Sequence, residues 1–200
     1  TFEVLTIGRV GVDLYPLQSG TPLQEVKTFG RFLGGSPTNV AVAAARYGRH
    51  SAVITRTGDD PFGTFIHQAL RELGVDDRFV SSVDGLPTPI TFCELFPPDR
   101  FPLYFYRYPA APDLQIQTSE IDLDAVRAAS VYWSTLTGLC AEPSRSAHFA
   151  AWQARARLPL PILHPAYRPI LGDDPAEAPA PMPPRRPVVP SAARPRPAGD

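Results

Sequence analysis

Two adjacent glycines, Gly34 and Gly35, lead without a spacer into Ser36-Pro37-Thr38-Asn39-Val40-Ala41-Val42-Ala43-Ala44-Ala45-Arg46-Tyr47-Gly48, and this run constrains the fold more than any other. Ser36 is a helix-capping residue type, and Pro37 suits the first helical position, where its missing N–H costs nothing. Val40, Ala41, Ala44 and Ala45 supply a narrow apolar face for close packing, and Gly48 stands where a helix can end in a left-handed residue. The expectation is a short helix pressed against another element. The paired glycines strip side chains from the approach to its amino end, so a ligand can reach backbone N–H groups at the positive end of the helix. A polyhydroxylated or anionic small molecule suits that arrangement.

Upstream, residues 2–8 form an apolar run with β-branched Val4 and Ile7 that stops at Gly8, which predicts a buried first strand. Asp13 follows in Gly11-Val12-Asp13-Leu14. A carboxylate just past the end of a buried strand lies where open α/β sheets hold their ligands, although a turn-forming aspartate fits the same position. Extended segments at 12–16 and 25–33 around Ser19-Gly20 predict a hairpin projecting from the sheet.

Downstream, residues 51–57 predict a second buried strand centred on Ala52, Val53 and Ile54. Asp60 and Pro61 open a helix in which Phe62, Phe65, Ile66, Ala69, Leu70 and Leu73 recur at helical spacing up to Gly74; Asp59 and Asp60 fit a helix-start cap better than a metal pair. A strand at 78–83 precedes two aromatic-rich strands at 89–96 and 101–107, turned by Pro97-Pro98-Asp99-Arg100. Tyr104, Phe105, Tyr106 and Tyr108 then belong to lid packing, a pocket wall or an interface. A helix at 121–129, a strand at 131–136 with Trp133, a helix from Pro143 to Arg157 and a strand at 160–163 continue the alternation. Two hairpins inserted in a strand–helix pattern predict an α/β fold with a β lid beside a parallel sheet.

Composition narrows the function. A 44% hydrophobic content over 200 residues suffices for one cored domain, and a net charge of -1 gives no electrostatic argument for nucleic acid or an anionic membrane surface. The apolar runs are too short to span a bilayer. Cys93 and Cys140 are isolated and read as small core residues in a reduced, cytoplasmic setting; His50, His67, His148 and His164 share no ligand spacing, and no zinc site is expected. There is no Walker A sequence, and Gly8-Arg9-Val10-Gly11 lacks the third glycine of a dinucleotide fingerprint. Of the 25 prolines, 13 fall in residues 159–200. Residues 171–200 are rich in Pro, Ala and Arg without apolar periodicity, which predicts a disordered tail; its composition also resembles a high-GC gene read in a shifted frame.

From Gly34 to Gly58 the chain resembles, position by position, the amino-terminal signature of the PfkB (ribokinase-like) carbohydrate kinases: the glycine pair, Asn39 on the first helical turn, Ala41, Gly48 closing the helix, and Gly58 ending the next apolar run. The resemblance implies a ribokinase-like three-layer α/β sandwich with a parallel central sheet and a small β lid, built from segments near 12–33 and 87–108. It covers about residues 1–170 and leaves the fold incomplete at its carboxyl end. Family membership implies phosphorylation of a sugar or sugar acid by ATP with Mg²⁺, in the cytoplasm, with a homodimer possible through the lid. The substrate-binding residues it implies are Asp13, Gly34, Gly35 and Asn39. Among kinases of 5-dehydro-2-deoxygluconate and 2-keto-3-deoxygluconate, two arginines approach the acid end of the substrate, and Arg107 and Arg168 sit at matching places. A guanidinium suits a carboxylate because it donates two parallel hydrogen bonds.

Two departures qualify this. Ahead of Arg168 the chain reads His164-Pro165-Ala166-Tyr167 where the family carries acidic or amide residues, and no Gly-Ala-Gly-Asp turn, the family's base and anion hole, follows Gly138. No catalytic, nucleotide-binding or metal-binding residue is therefore assigned, and little or no turnover is expected of this chain. The alternative expectation is a non-catalytic sugar-binding or dimerising module derived from a kinase.

Overall fold

A computed structural model describes residues 1–156 and 161–164. In chain order the elements are β1 (Val4–Ile7), β2 (Gly11–Pro16), β3 (Phe29–Gly34), α1 (Ser36–Arg46), β4 (Ser51–Gly58), α2 (Pro61–Glu72), β5 (Val75–Asp76), β6 (Val80–Val83), β7 (Ile90–Cys93), β8 (Leu103–Tyr106), α3 (Leu123–Ala128), β9 (Val131–Thr135), α4 (Ser144–Ala154) and β10 (Pro161–His164). Arg168 and the 171–200 tail lie outside the described residues.

The apolar runs of β1, β4 and β9 pair in parallel, as strands buried on both faces do. The sheet order is β10-β9-β1-β4-β5, with β6 taking the distal length of β4. Leu5, Ile7, Ala52, Ile54 and Tyr132 point to one side, where Val126 of α3 and Ala147 and Ala151 of α4 cover them. Val53 points to the other, against Ala41 of α1 and Ile66 and Leu70 of α2. Helices on both faces of a parallel sheet make the expected three layers, and no described helix is long and apolar enough to cross a membrane.

The second sheet is four-stranded, β3-β2-β7-β8. Both expected hairpins form: β2 pairs antiparallel with β3 and β7 with β8, and a parallel seam of Val12–Ile90, Asp13–Thr91 and Leu14–Phe92 joins them. Buried Glu94 tightens this lid, accepting from the Leu23 N–H at 2.7 Å and the Tyr104 hydroxyl at 3.1 Å.

Several local expectations shift. Ser36 is not the cap of α1 but its first helical residue; Gly35 is the cap, and no side chain caps the helix. The hydroxyl thus sits one residue too late to serve the first free amides. The buried face of α1 runs through Pro37, Thr38 and Ala41, with Val42 and Ala45 packed against the core, so it is the 38/41/42/45 spacing rather than 40/41/44/45 that meets the sheet. The 78–83 strand is Val80–Val83, preceded by the separate pair Val75–Asp76. Cys93 is buried as expected, whereas Cys140 is only partly so.

Helix α2 begins as read. Asp60 Oδ1 accepts from the Gly63 N–H at 2.8 Å, and the same carboxylate accepts from the Thr88 N–H and hydroxyl at 2.7 and 2.8 Å. The cap therefore also anchors the segment that enters β7. Burial pushes the Asp60 carboxyl up, but the bonds from Thr88 and Gly63 outweigh it and leave the group below its ordinary value. A carboxyl depressed in the fold contributes stability above its unfolded-state value, and that contribution fades as pH falls through the folded one. Asp60→Ala should cost about 2 kcal/mol at pH 7, read from urea unfolding, with the gap to the parent narrowing below about pH 4.

Candidate functional site

From β1 the chain passes through α1 to β4 on one side, whereas β9 pairs with β1 on the other. The connections diverge above the carboxyl ends of β1 and β9, the switch point where open α/β sheets leave a ligand crevice. Gly8 at the tip of β1 is flanked there by Pro37 of α1 and by Thr135, whose hydroxyl lies 2.6 Å from that of Thr137. Lid strand β2 rises from the same tip, after Gly8-Arg9-Val10.

The glycine pair and the carboxylate meet at this point. Asp13 lies against the backbone of Gly34, so closely that a Cβ on Gly34 would overlap its carboxyl group. A Cβ on Gly35 would strike the Arg9 carbonyl oxygen, and Gly35 has φ +110°, a conformation L side chains rarely adopt. The two glycines thus serve different ends. Gly35 lets the chain turn from β3 into α1, and Gly34 makes room for the acid.

The carboxylate is short of donors. Asp13 Oδ2 receives only a long bond from the Tyr15 hydroxyl, at 3.4 Å, and buried Oδ1 has no hydrogen-bond partner. Burial pushes the Asp13 carboxyl up from its ordinary value, with the Arg9 charge and the Tyr15 and Thr91 hydroxyls pulling the other way. A buried acceptor left open is costly unless a ligand fills it.

Cross-strand register explains the surroundings. Phe32, Asp13, Thr91 and Phe105 occupy one rung across all four lid strands, so their side chains share a face. Tyr15 joins that face, its ring edge-on to Phe32 with centroids 5.5 Å apart. Arg9 reaches the rung from below: Nη2 donates to Thr91 Oγ1 at 2.7 Å, lies 3.8 Å from Asp13 Oδ1, and the guanidinium carbon sits 5.1 Å from the centre of the Phe105 ring. An acid, its counter-charge and aromatic walls form a surface suited to hydroxyl groups and the C–H faces of a sugar.

The remaining expected residues are placed differently. Asn39 lies on the first turn of α1, where its N–H donates to the Gly35 carbonyl at 2.8 Å and its side chain is exposed. Arg107 is buried just past β8, and its hydrogen bonds go to Asp113, at 3.3 and 3.1 Å, rather than to the Asp13 group. Arg9, Thr91 and Tyr15 are the site residues that sequence reasoning missed. Phe105 faces the acid, while Tyr104 and Tyr106 face away and are exposed. Elsewhere, a cavity of about 130 Å³ is lined by Arg56, Arg78 and Glu120, but its arginines are already paired with Glu120 and Asp76.

The model of the pfkB family carbohydrate kinases matches residues 1–182. The 5-dehydro-2-deoxygluconokinase of Shouchella clausii is 35% identical over 151 residues, covering 75% of this chain and 46% of that protein. Probable fructokinase-3 of Arabidopsis thaliana is 35% identical over 150 residues, covering 75% of this chain and 43% of its own. The chain thus spans a little under half the length of these curated relatives. Among solved structures, an uncharacterized sugar kinase from Pyrococcus horikoshii in complex with ATP superposes with a TM-score of 0.74 at 27% identity, covering 84% of this chain and 54% of that one. The apo fructokinase of Vibrio cholerae gives 0.71 at 28% identity, covering 89% and 58%.

The two glycines should separate experimentally. Gly35→Ala should lower unfolding stability by about 2 kcal/mol, because it combines backbone strain with a collision against Arg9. Gly34→Ala should instead move the Asp13 side chain, so the Asp13 carboxyl ¹³C resonance shifts clearly. An unshifted resonance would show that acid and glycine are not in contact.

Proposed function

Because the chain belongs to the pfkB family of carbohydrate kinases, we propose that the Asp13 crevice binds the hydroxyl groups of a sugar or sugar acid, as the sugar-holding portion of an ATP-dependent kinase. The observation that carries this reading is the Asp13 carboxylate itself, packed on Gly34 with one oxygen unpartnered and the other weakly held. A vicinal pair of hydroxyls would satisfy both oxygens. Phosphoryl transfer needs an acceptor hydroxyl held in line with the leaving phosphate. Asp13 would orient the sugar, while the first-turn amides of α1 and the ring faces of Tyr15 and Phe32 line its approach.

The preferred substrate is an acid of the 5-dehydro-2-deoxygluconate kind. Relatives named for that compound and probable fructokinases match equally at 35% identity; what favours the acid is Arg107, which keeps a buried, unpartnered Nη1 beside the end of the lid. That nitrogen would take a carboxylate, assisted by Arg168. ATP is the second substrate by family, and magnesium would accompany it. Among the described residues there is no group of three or more His, Cys, Asp or Glu side chains that could hold a metal ion. The 200 residues also contain no Gly-Ala-Gly-Asp sequence. The chain by itself is therefore expected to bind sugar without appreciable turnover.

A second role is favoured by the outer face of the lid. Phe29, Phe92 and Tyr106 pack edge to face with centroids 5.4 Å apart, and Tyr106 is 60% exposed. Such a face fits another copy of the same lid.

Calorimetry on the purified chain tests the main reading. 5-Dehydro-2-deoxygluconate should bind without nucleotide, more tightly than D-fructose, and Asp13→Asn should weaken it about 100-fold. Failure of both sugars to bind would reject the proposal. For the lid, sedimentation velocity should show a dimer that Tyr106→Lys converts to a monomer.

A further inference from the structure

The β1–β2 loop sends one cation into the lid. Arg9 is 12% exposed and Asp13 19%, so both charges sit largely out of water, where an unpaired ion is costly. Yet the two do not form a close pair. At 3.8 Å the nearest nitrogen is too far from Asp13 Oδ1 for a hydrogen bond, and that same nitrogen donates to Thr91 at 2.7 Å. The Phe105 ring bounds the guanidinium on another side, and the Arg9 carbonyl is the atom that forbids a side chain at Gly35. Arg9 therefore touches β2, β7 and β8 from a fixed point on the central sheet, and it compensates the acid by charge without occupying its oxygens.

We propose that Arg9 is a positioning residue of the sugar pocket, a strut that holds the lid rung over β1 and supplies a counter-charge to Asp13 while leaving both carboxylate oxygens open to ligand hydroxyls. This rests on the reading of Asp13 as the hydroxyl acceptor. A bidentate ion pair at this place would quench the acid, and an apolar residue would let it take up a proton. A protonated carboxyl accepts one hydrogen bond fewer and loses its charge assistance. The groups facing Asp13 are Arg9 from the loop below, Tyr15 on its own strand, and Thr91 and, more weakly coupled, Cys93 from β7. Arg9 is the cation in that set.

The test separates this role from sugar binding. In the 200-residue chain the Asp13 carboxyl ¹³C resonance, assigned with Asp13→Asn, is followed against pH. Arg9→Met, which keeps the packing length, should raise its midpoint by about one pH unit or more, and Arg9→Lys should restore most of the difference. Arg9→Gln, which removes the charge but keeps a polar side chain, should give a similar rise and serves if Arg9→Met does not fold. With 5-dehydro-2-deoxygluconate as probe, the affinity lost in Arg9→Met should grow about tenfold as pH falls through the raised Asp13 midpoint and shrink again above it. A purely structural loss would be independent of pH. An Asp13 midpoint unchanged in both Arg9→Met and Arg9→Gln overturns the proposal. A shifted midpoint in a protein that binds no sugar leaves Arg9's charge role standing and rejects the sugar reading instead.

Discussion

The contact between the Asp13 carboxyl group and the bare backbone of Gly34 is the constraint on which the site depends. It places a charged side chain from the lid against the residue that ends β3 and precedes α1, so three elements are fixed relative to one another by the absence of one carbon atom. Gly11 and Gly34 are also paired across β2 and β3, which holds the two strands in the register that puts the acid there. A one-residue slip would send Asp13 to the opposite face. Gly35 then redirects the chain, and the amino end of α1 opens towards the crevice above β1 and β9.

The lid divides its labour by strand alternation. One face carries Phe32, Asp13, Thr91 and Phe105 on a common rung, with Arg9 beneath; the other carries Phe92, Tyr104 and Tyr106. Part of that second face packs on the body, since Val12 lies in the core beside α1 and α2 and Arg31 stacks on Phe65 with its guanidinium carbon 3.8 Å from the ring centre. The aromatic remainder looks outward. The two faces can thus be altered separately within one small sheet, because adjacent residues of the same strand point to opposite surroundings.

What was legible in the sequence was local. Asp60, Pro61 and the apolar periodicity of α2 lie within a few residues of each other, and the helix starts where they say. The glycine pair announced a close approach for the same reason. Ser36 misled because its role hinges on the φ of Gly35: once that glycine becomes the cap, the serine is inside the helix. Arg107 could be singled out from its place after an aromatic strand, but not the bonds its Nη2 makes to Asp113, six residues on. Arg9 carried none, because its meaning comes from Thr91, 82 residues away, brought beside it by the parallel seam of β2 and β7. Register between distant strands is written in packing, not in spacing.

That seam has a further consequence. The lid is sewn from two widely separated stretches of the chain: β2 grows straight out of the core strand β1, whereas β7 and β8 arrive after α2 and β6, and three register pairs join them along the sheet, with the Leu23–Glu94 bond and the Phe29–Phe92 contact beside them. The inner piece carries the acid and grows from the central sheet; the outer piece carries Thr91 and Phe105 and reaches the body through the Thr88–Asp60 bonds. Diversification of ligand choice on such a scaffold is expected to concentrate between Ile90 and Tyr106, while the anchoring half stays nearly constant.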